Sequence, residues 1–547
     1  MRRTVPEPSC NNLRPIHRRL RLAGAALTAL CGLLVPVARA SAQSPTIEHV
    51  ELQRFSVFDT DEATLWPLRL VNTLHITTLP YVIRRELLFS QGEGWDSARV
   101  AESERNLRSL GVFRGVRIDS VSTDSGLVAR VTTRDGWSTR PDFRFKSTGG
   151  ELDYTLALIE DNLLGTATQA SILYRNQPDR TSTTFGFRQR RLIGGRIGVN
   201  ARYDDRSDGE RGAIAIGQPF FTLSSRSMAN LLLEARDERV LLWGEGRATP
   251  VDSTFRDYAL ARVDLGRAIR AGTGGYLRAG ISAQVRSDEY RSPLADPVEV
   301  EGTTAAVGAW LEHRTARFLR TAGFNALSQE EDVDLSTVLH VGAWIAPGAF
   351  GYQRGGVGPE IWAQTGVGNA RGFLRVNAVA NGLFTSGATL DSGSVRLGAT
   401  AAWLPSQRHT AVLHASGGLI RRPLPGSEFD LGLGAGPRGF RQHAFTGDRM
   451  YFVSGEYRYG LAPDFLKVVD VGIAAFADLG GAWWHGSDSR SGWDAGIGLR
   501  LGASRSPDVE ANRIDLVYRS GNSRQPSGWL LVVAKGFAFS GDLRGDR

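Results

Sequence analysis

The sequence contains few lysines, few cysteines and few long apolar runs, and each shortage excludes a class of protein. Only three of its 65 basic residues are lysine, and its two cysteines are Cys10 and Cys31. The one long apolar run covers residues 22–37, and the mean hydropathy is −0.20, which argues against helical membrane spans. Because the arginines are interspersed with 57 acidic residues rather than clustered, a nucleic-acid surface is not expected.

The apolar run 22–37 has the features of a secretory signal. Arg14, Arg18 and Arg19 precede it, and small residues follow it as far as Ala42. A basic flank, a short apolar middle and a small-x-small end predict cleavage near Ala42. Residues 1–42 are therefore expected to be a signal peptide, and both cysteines leave with it, so no disulfide is expected.

Catalytic motifs are missing from the sequence. The nine histidines are scattered, and there is no His-Glu-x-x-His pattern, no Gly-x-Ser-x-Gly elbow and no P-loop. The chain is therefore not expected to be an enzyme or to need a cofactor or a metal. A hydrolase that uses loop residues such as His443 or His485 is the remaining enzymatic alternative.

Residues 46–135 have the pattern of one small α+β domain. A proline is favoured in the first turn of a helix, and a glycine commonly ends one. The expected elements are, in order, a strand at 47–52, a helix that begins near Pro80, a helix from Ser97 to Leu110, and strands at 113–121 and 127–133. An unrelated α+β module with this order is the alternative to the family resemblance given below.

Residues 138–547 break into short segments in which apolar and polar residues alternate. Examples are 168–174, 196–203, 276–285, 336–345 and 395–403. In a secreted chain, many such segments predict a transmembrane antiparallel β-barrel, and about twenty can be counted. Long polar connections are expected at 236–255 and 315–334. A soluble β-sandwich or propeller is the alternative.

Two alternating runs, 450–459 and 470–480, carry all their charges on one face. Glu456 and Asp478 lie on those charged faces. If the uncharged faces meet lipid, both carboxylates point into the barrel, where they repel each other unless a cation lies between them. Arg438, on a glycine-rich loop upstream, can bridge two carboxylates with its forked donors.

These motifs resemble those of the BamA/TamA outer-membrane assembly superfamily. Residues 83–118 resemble a POTRA domain. Pro437-Arg438-Gly439-Phe440 resembles the Arg-Gly-Phe motif of the family's long sixth loop, and Phe476-x-Asp478-x-Gly480 resembles its Phe-x-Asp-x-Gly strand motif. The resemblance implies that Arg438 folds back into the barrel and pairs with Asp478 and Glu456. Pro437 stands where the family has a β-branched residue.

The resemblance also implies a function and a strand number. It implies sixteen strands, which we prefer at this point to the count of twenty. It further implies an outer-membrane factor that inserts or translocates other proteins, with the POTRA-like domain in the periplasm. The implied partners are unfolded outer-membrane or secreted client proteins, outer-membrane lipid and a periplasmic or lipoprotein accessory, with no nucleic acid. A two-partner-secretion-type pore and a passive porin are the alternatives.

The predicted last strand, 529–539, is expected to close the barrel against a first strand near 142–148. Trp529, Phe537 and Phe539 share one face of that strand. Outer-membrane proteins commonly carry an aromatic signal on their last strand, and these three residues are the candidates for it. The signal, if used, is expected to be internal, because the sequence continues after Phe539.

Overall fold

The computed structural model describes most of the chain after residue 44. The described residues are 45–59, 66–123, 126–148, 151–177, 179–192, 195–244, 246–247, 249–290, 302–353, 355–385, 389–432, 435–506, 510–522, 524–540 and 543. The predicted signal peptide, residues 1–42, lies outside them. No helix within the described ranges is both long enough and apolar enough to cross a membrane.

The first described part of the chain is a small α+β domain. Its elements are β1 Ile47–Phe55, α1 Trp66–Leu74, α2 Pro80–Arg84, α3 Ser97–Ser109, β2 Phe113–Thr123 and β3 Gly126–Asp135. β3 is the central strand, parallel to β1 and antiparallel to β2. The carboxylate of Asp96 caps α3 by accepting the N–H groups of Ala98 and Arg99. The sequence did not predict α1.

This domain has its own core between the helices and the sheet. Side chains from α2, α3 and all three strands meet there, and burying them stabilises the domain by about 25 cal/mol for each Å² of apolar surface removed from water. The buried members are Ile47, Val82, Ile83, Phe89, Val100, Leu107, Val112, Phe113, Val116, Ile118, Leu127, Ala129, Val131 and Ala167. Ala167 belongs to a later connection of the chain, between residues 160 and 169, so the core includes one side chain from outside the domain.

Among the described residues, twenty strands form one large antiparallel sheet, and the strand order is that of a closed barrel. They are β4 Thr139–Thr148, β5 Glu151–Glu160, β6 Gln169–Asn176, β7 Thr181–Gln189, β8 Gly198–Arg206, β9 Gly209–Gln218, β10 Ser227–Leu242, β11 Asp252–Gly272, β12 Gly275–Tyr290, β13 Gly302–Thr315, β16 Thr337–Ala346, β17 Gly356–Asn369, β18 Gly372–Thr385, β19 Thr389–Ser406, β20 His409–Arg421, β23 Arg449–Phe465, β24 Val469–Trp483, β25 Gly492–Ala503, β26 Asn512–Arg519 and β27 Gly528–Lys535. Two small hairpins lie outside this sheet: β14 Phe318–Ala322 with β15 Glu330–Asp334, and β21 Phe429–Leu431 with β22 Phe445–Gly447.

The strand number corrects one expectation. A mainly β chain with a large antiparallel sheet is confirmed, but sixteen strands is wrong and the count of about twenty is right. Each alternating segment finds a neighbour to pair with, because an unpaired strand would leave its backbone N–H and C=O groups without partners. Residues 236–255 are mostly strand rather than loop, since β10 continues to Leu242 and β11 begins at Asp252.

The two ends of the barrel carry different structures. We call the end that meets the small domain the domain end. It includes Thr139, where β4 begins, and the hairpin β14–β15, which lies within the connection expected to be a polar loop. We call the opposite end the far end. It carries the connection 422–448 between β20 and β23, which contains the hairpin β21–β22.

The end of β27 corrects a second expectation. Trp529 is on the outer face, 65% exposed, and packs edge to face with Tyr518 at 5.3 Å between ring centroids. Phe537 and Phe539 do not share its strand, because β27 ends at Lys535. Both rings instead pack against residues inside the barrel. The expectation that Phe537 and Phe539 lie on the last strand, at the seam, is therefore wrong, whereas an internal aromatic signal stays a prediction.

The small domain is fastened to the domain end by paired charges. Arg108 of α3 forms a two-pronged ion pair with Asp332 of β15, at 2.7 and 3.1 Å. The guanidinium of Arg191, after β7, lies 2.7 Å from the carboxylate of Glu86, and both side chains are buried. Such paired and partly buried contacts hold the domain in one orientation against the barrel rim.

Candidate functional site

The inner wall of β23 and β24 follows the alternation seen in the sequence. Glu456 and Asp478 point inward and are 3% and 2% exposed. Val453 and Leu479, on the opposite faces, are 36% and 42% exposed. Because successive side chains of a strand point to opposite faces, every charged residue of matching parity reaches the same interior space.

The connection 422–448 turns from the far end into the lumen and delivers Arg438. The Arg438 side chain is 1% exposed. A Cβ on Gly439 would lie 3.0 to 3.2 Å from side-chain atoms of the barrel wall, so only a glycine lets the loop approach this closely. The Gly439 N–H donates to Asp494 at 2.8 Å. Gly434, another glycine of this loop, lies outside the described residues.

Arg438 binds three carboxylates at once. Its Nε and Nη2 donate to the two oxygens of Asp478 at 2.6 and 3.2 Å. Its Nη1 donates to Glu456 at 3.0 Å and to Asp515 at 3.3 Å. The planar guanidinium fits this task because its donors point in fixed, forked directions. The three carboxylates together fix both the depth and the direction of the loop.

Aromatic rings complete the contact between loop and wall. The guanidinium carbon of Arg438 lies 3.7 Å from the ring centroid of Phe476, a cation–π arrangement on the wall. Phe440 is fully buried among residues of the loop and of strands β23 and β24. A Cβ on Gly492 would lie 2.2 Å from the Phe440 ring, so this glycine makes room for it. Gly480 likewise leaves room beside Phe452.

The structure adds charged residues that the sequence analysis did not single out. Arg500 binds both Glu456, at 2.9 and 3.0 Å, and Asp515, at 2.6 Å. Arg458 donates to Glu456 at 2.6 Å, and Arg513 donates to Asp515 at 3.4 Å. All of these side chains are buried. We call Arg438, Glu456, Arg458, Asp478, Arg500, Arg513 and Asp515 the lumen charge cluster.

Strand parity was the signal that could have found these residues. In the sheet, Asp478 pairs with Asp494, Arg500 pairs with Arg513, and Gly498 pairs with Asp515. Each charged residue therefore lies on the same face as Asp478. Applying the same alternation of inward and outward side chains to β25 and β26 would have placed their arginines and aspartates in the interior beside Glu456 and Asp478.

Arg458 connects the lumen charge cluster to the domain end. Its Nη1 donates to the backbone carbonyl of Phe324, within the connection that carries β14 and β15, at 3.0 Å. Its guanidinium carbon lies 3.9 Å from the ring centroid of Phe537. One buried side chain thus contacts Glu456, the domain-end connection and the segment that follows β27.

The lumen charge cluster binds the loop to the barrel wall through paired charges. Glu456, Asp478 and Asp515 each accept at least two hydrogen bonds, from guanidinium or hydroxyl groups. The carboxylate oxygens are thus occupied by donors of the loop and of the barrel wall, which holds the two together. Within the described residues, no group of three or more His, Cys, Asp or Glu side chains is arranged to hold a metal ion.

Comparison with known proteins gives fold-level similarities at low scores. No family model and no curated protein matches this chain. It is similar to BamA from Haemophilus ducreyi lacking POTRA domains 1–3, at 11% identity and TM-score 0.35, over 89% of this chain and 84% of that one. CdiB from Escherichia coli has 12% identity and a TM-score of 0.43, over 96% of this chain and 99% of that one. OccK10 (OpdN) from Pseudomonas aeruginosa has 12% identity and a TM-score of 0.33, over 74% of this chain and 99% of that one. At these scores the likenesses identify neither a family nor a function.

Proposed function

We propose that this chain is an outer-membrane β-barrel that inserts or translocates other proteins, with residues 46–135 acting as a POTRA-like domain in the periplasm. The observation that carries the proposal is the loop from the far end held inside the barrel by Arg438. Three buried carboxylates on three different strands hold one guanidinium. A loop fastened this firmly gives the lumen a defined internal shape rather than an open bore.

The outer surface of the barrel supports the membrane part of this proposal. On β16, Leu339, Val341 and Ile345 face outward and are 44%, 44% and 56% exposed, while Val338 faces inward and is 1% exposed. Exposing so many apolar side chains to water would be unfavourable. A hydrocarbon environment accepts them, and a closed strand order leaves few backbone groups unpaired there.

The position of the small domain supports a role in receiving clients. In its three-stranded sheet, β1 and β2 each pair on one side only within the sheet. An extended polypeptide can add to such an edge through backbone hydrogen bonds. The client would therefore be an unfolded outer-membrane or secreted protein, delivered at the domain end, with a periplasmic or lipoprotein accessory as a further partner.

The seam between β4 and β27 is the proposed site of insertion. These two strands are neighbours in the sheet although one begins it and the other ends it in sequence. Separating one strand pair would expose edges that can template client strands. The lumen charge cluster involves β23, β24, β25 and β26, so it would keep that side of the barrel rigid while the seam opens. No covalent step is involved, and the proposed role is not enzymatic.

A translocation pore for one dedicated secreted partner is the second candidate. The charged cavity along one side of the lumen, described below, suits passage of a polypeptide. A passive porin is less well supported, because the loop 422–448 and the segment after β27 both occupy the lumen.

Depletion of the protein in its native host separates these functions. Loss of many outer-membrane proteins from the membrane fraction supports insertion, and loss of one secreted protein supports the dedicated pore. An unchanged protein content with slower solute uptake would overturn both in favour of a porin. Complementation with Arg438→Ala and with Arg441→Ala, on the same loop, provides the matched pair. Only the Arg438→Ala variant is expected to fail to restore the lost function.

A further inference from the structure

The segment that follows β27 leaves the barrel wall and enters the lumen. Gly536 has φ +69° and donates its N–H to the carbonyl of Ala511 at 2.9 Å. This conformation favours glycine over any other residue, so the turn out of the strand is encoded at this position. Beyond it, Ala538 is 2% exposed and Leu543 is 4% exposed.

The segment lies in an apolar groove of the inner wall. Phe539 stacks on His414 of β20 at 4.1 Å with the rings nearly parallel, and Phe537 lies 5.4 Å from Phe324. Residues from the hairpin connection, β18, β19 and β20 surround the two phenylalanines; they are Phe324, Val333, Leu335, Phe373, Ala402 and Val412. Leu543 fills a second apolar site with Val338, Trp362 and Val379.

Two polar cavities meet where this segment begins. One, of about 730 Å³, lies along the inner faces of strands β5 to β11 and reaches the connection 422–448 at the far end. The other, of about 430 Å³, lies between the end of α3 and the adjoining rim of the barrel. Lys535 lines both cavities, and Phe537 lines the first. The turn at Gly536 therefore lies at the junction between them.

We infer that the two cavities are one route for an extended polypeptide and that residues 536–540, together with Leu543, are the plug that closes it. The larger cavity is lined by both signs of charge, including Arg175, Arg202, Arg236, Asp153, Asp204 and Glu238. Such a surface solvates a passing backbone and side chains of either sign without binding one sequence tightly. Apolar and stacking contacts, together with the cation–π contact of Arg458 with Phe537, hold the plug in the groove, and contacts of these kinds can be made and broken repeatedly.

The identity of the cargo rests on the proposed function, but the plug itself does not. A plug in an apolar groove should leave when its aromatic anchors are removed. It should return when the same sequence is supplied separately. Both properties can be measured as ion flow through the barrel, without any client protein.

The first test is conductance of the purified full-length protein and of a chain that ends at Lys535, each in planar lipid bilayers. We expect a several-fold rise in single-channel conductance on truncation. A synthetic peptide of residues 536–547 should restore the low value, whereas the same peptide with both phenylalanines replaced by serine should not. Equal conductance of the two chains would overturn the inference.

A second test keeps the chain complete. Cδ1 of Leu543 lies 3.6 Å from the position of a Cβ on Gly398, whose nearest neighbour, Oδ1 of Asn377 at 2.5 Å, would have to shift. In Gly398→Cys with Leu543→Cys, a disulfide formed on oxidation between these neighbouring sites should hold the plug in place. Apart from Cys10 and Cys31, the chain has no other thiol. Oxidised protein should show fewer opening events than either single variant, and a reductant should restore them. No difference between oxidised and reduced protein would also overturn the inference.

Client assembly measured in the same variants separates the two proposals. One outcome is that truncation raises conductance while a host that lacks this protein still assembles its outer-membrane proteins and exports its secreted proteins normally. That result would support the plug and contradict the proposed function. If depletion impairs assembly but truncation leaves conductance unchanged, the proposed function stands and the plug fails.

Discussion

Replacing Arg438 with alanine should free the loop 422–448 from the lumen wall. Without the guanidinium, Glu456 keeps Arg458 and Arg500 as partners. Asp478, which has no second arginine among its hydrogen-bond donors in the described part of the chain, keeps the hydroxyl of Ser454 at 2.7 Å and the backbone N–H of residue 438 at 3.4 Å. Breaking a buried ion pair by removing one partner costs about 3–5 kcal/mol, because a carboxylate is left buried without a cation. This corresponds to about a 140- to 3,700-fold increase in the undocked population of the loop.

Chymotrypsin cleavage of protein in lipid vesicles measures that population. Its aromatic sites in the loop, Phe429, Phe440 and Phe445, are unchanged in the variant, and all three are buried while the loop is docked. When opening is fast relative to cleavage, the cleavage rate follows the open population. Arg441→Ala is the matched control, because Arg441 donates to the carbonyl of Gly246 instead of joining the lumen charge cluster.

A second substitution distinguishes the ion pair from a general loss of packing. Asp478→Asn removes the carboxylate charge that Arg438→Ala leaves without a cation. The double variant Arg438→Ala/Asp478→Asn should therefore be cleaved more slowly than expected from adding the free-energy effects of the two single substitutions. Equal cleavage of Arg438→Ala and Arg441→Ala would refute the reasoning. Full additivity of the two substitutions in the cluster would refute it as well.

Three further changes test other parts of the structure. Gly492→Leu should displace the loop, because its side chain would overlap the Phe440 ring, and chymotrypsin should then cut the loop as it does in Arg438→Ala. Arg108→Ala should loosen the small domain from the barrel and speed amide hydrogen exchange in α3, whereas Arg117→Ala, in an exposed ion pair, should not. Burial raises the pKa of Glu102 above its ordinary value of 4.5, so the folded state holds this proton more tightly than the unfolded one. The stability of the small domain should therefore fall as pH rises from below 4.5 through the raised pKa, and Glu102→Gln should flatten that slope in hydrogen-exchange measurements. An unchanged slope in this variant would contradict the assignment to Glu102.

Periodicity predicted the features that depend on alternation alone. A strand in a barrel wall has two unlike faces, so the charges of β23 and β24 identify the inner one from sequence. The same rule accounts for the correct count of about twenty segments. It also brings Glu456 and Asp478 to one interior space, where the structure places Arg438 between them.

Features that depend on distant contacts were not accessible in this way. Phe537 and Phe539 continue the alternation of β27, and only the conformation of Gly536 shows that the strand has already ended. The pairing of Arg108 with Asp332 joins residues far apart in sequence. Strand parity brings Arg500 and Asp515 to the interior, but the contact between them depends on the pairing of β25 with β26, which local pattern does not specify.

The position of the plug after β27 sets an order for maturation of the protein. Every strand of the sheet precedes Gly536 in the chain, so the ring can form before residues 536–540 enter its interior. Sealing is then a separate, late event that requires Phe324, brought in by the connection between β13 and β16, to be in place beneath Phe537. A newly made molecule should therefore pass through a leaky stage, and cells that make plug-deficient variants should become sensitive to large antibiotics that the intact surface excludes.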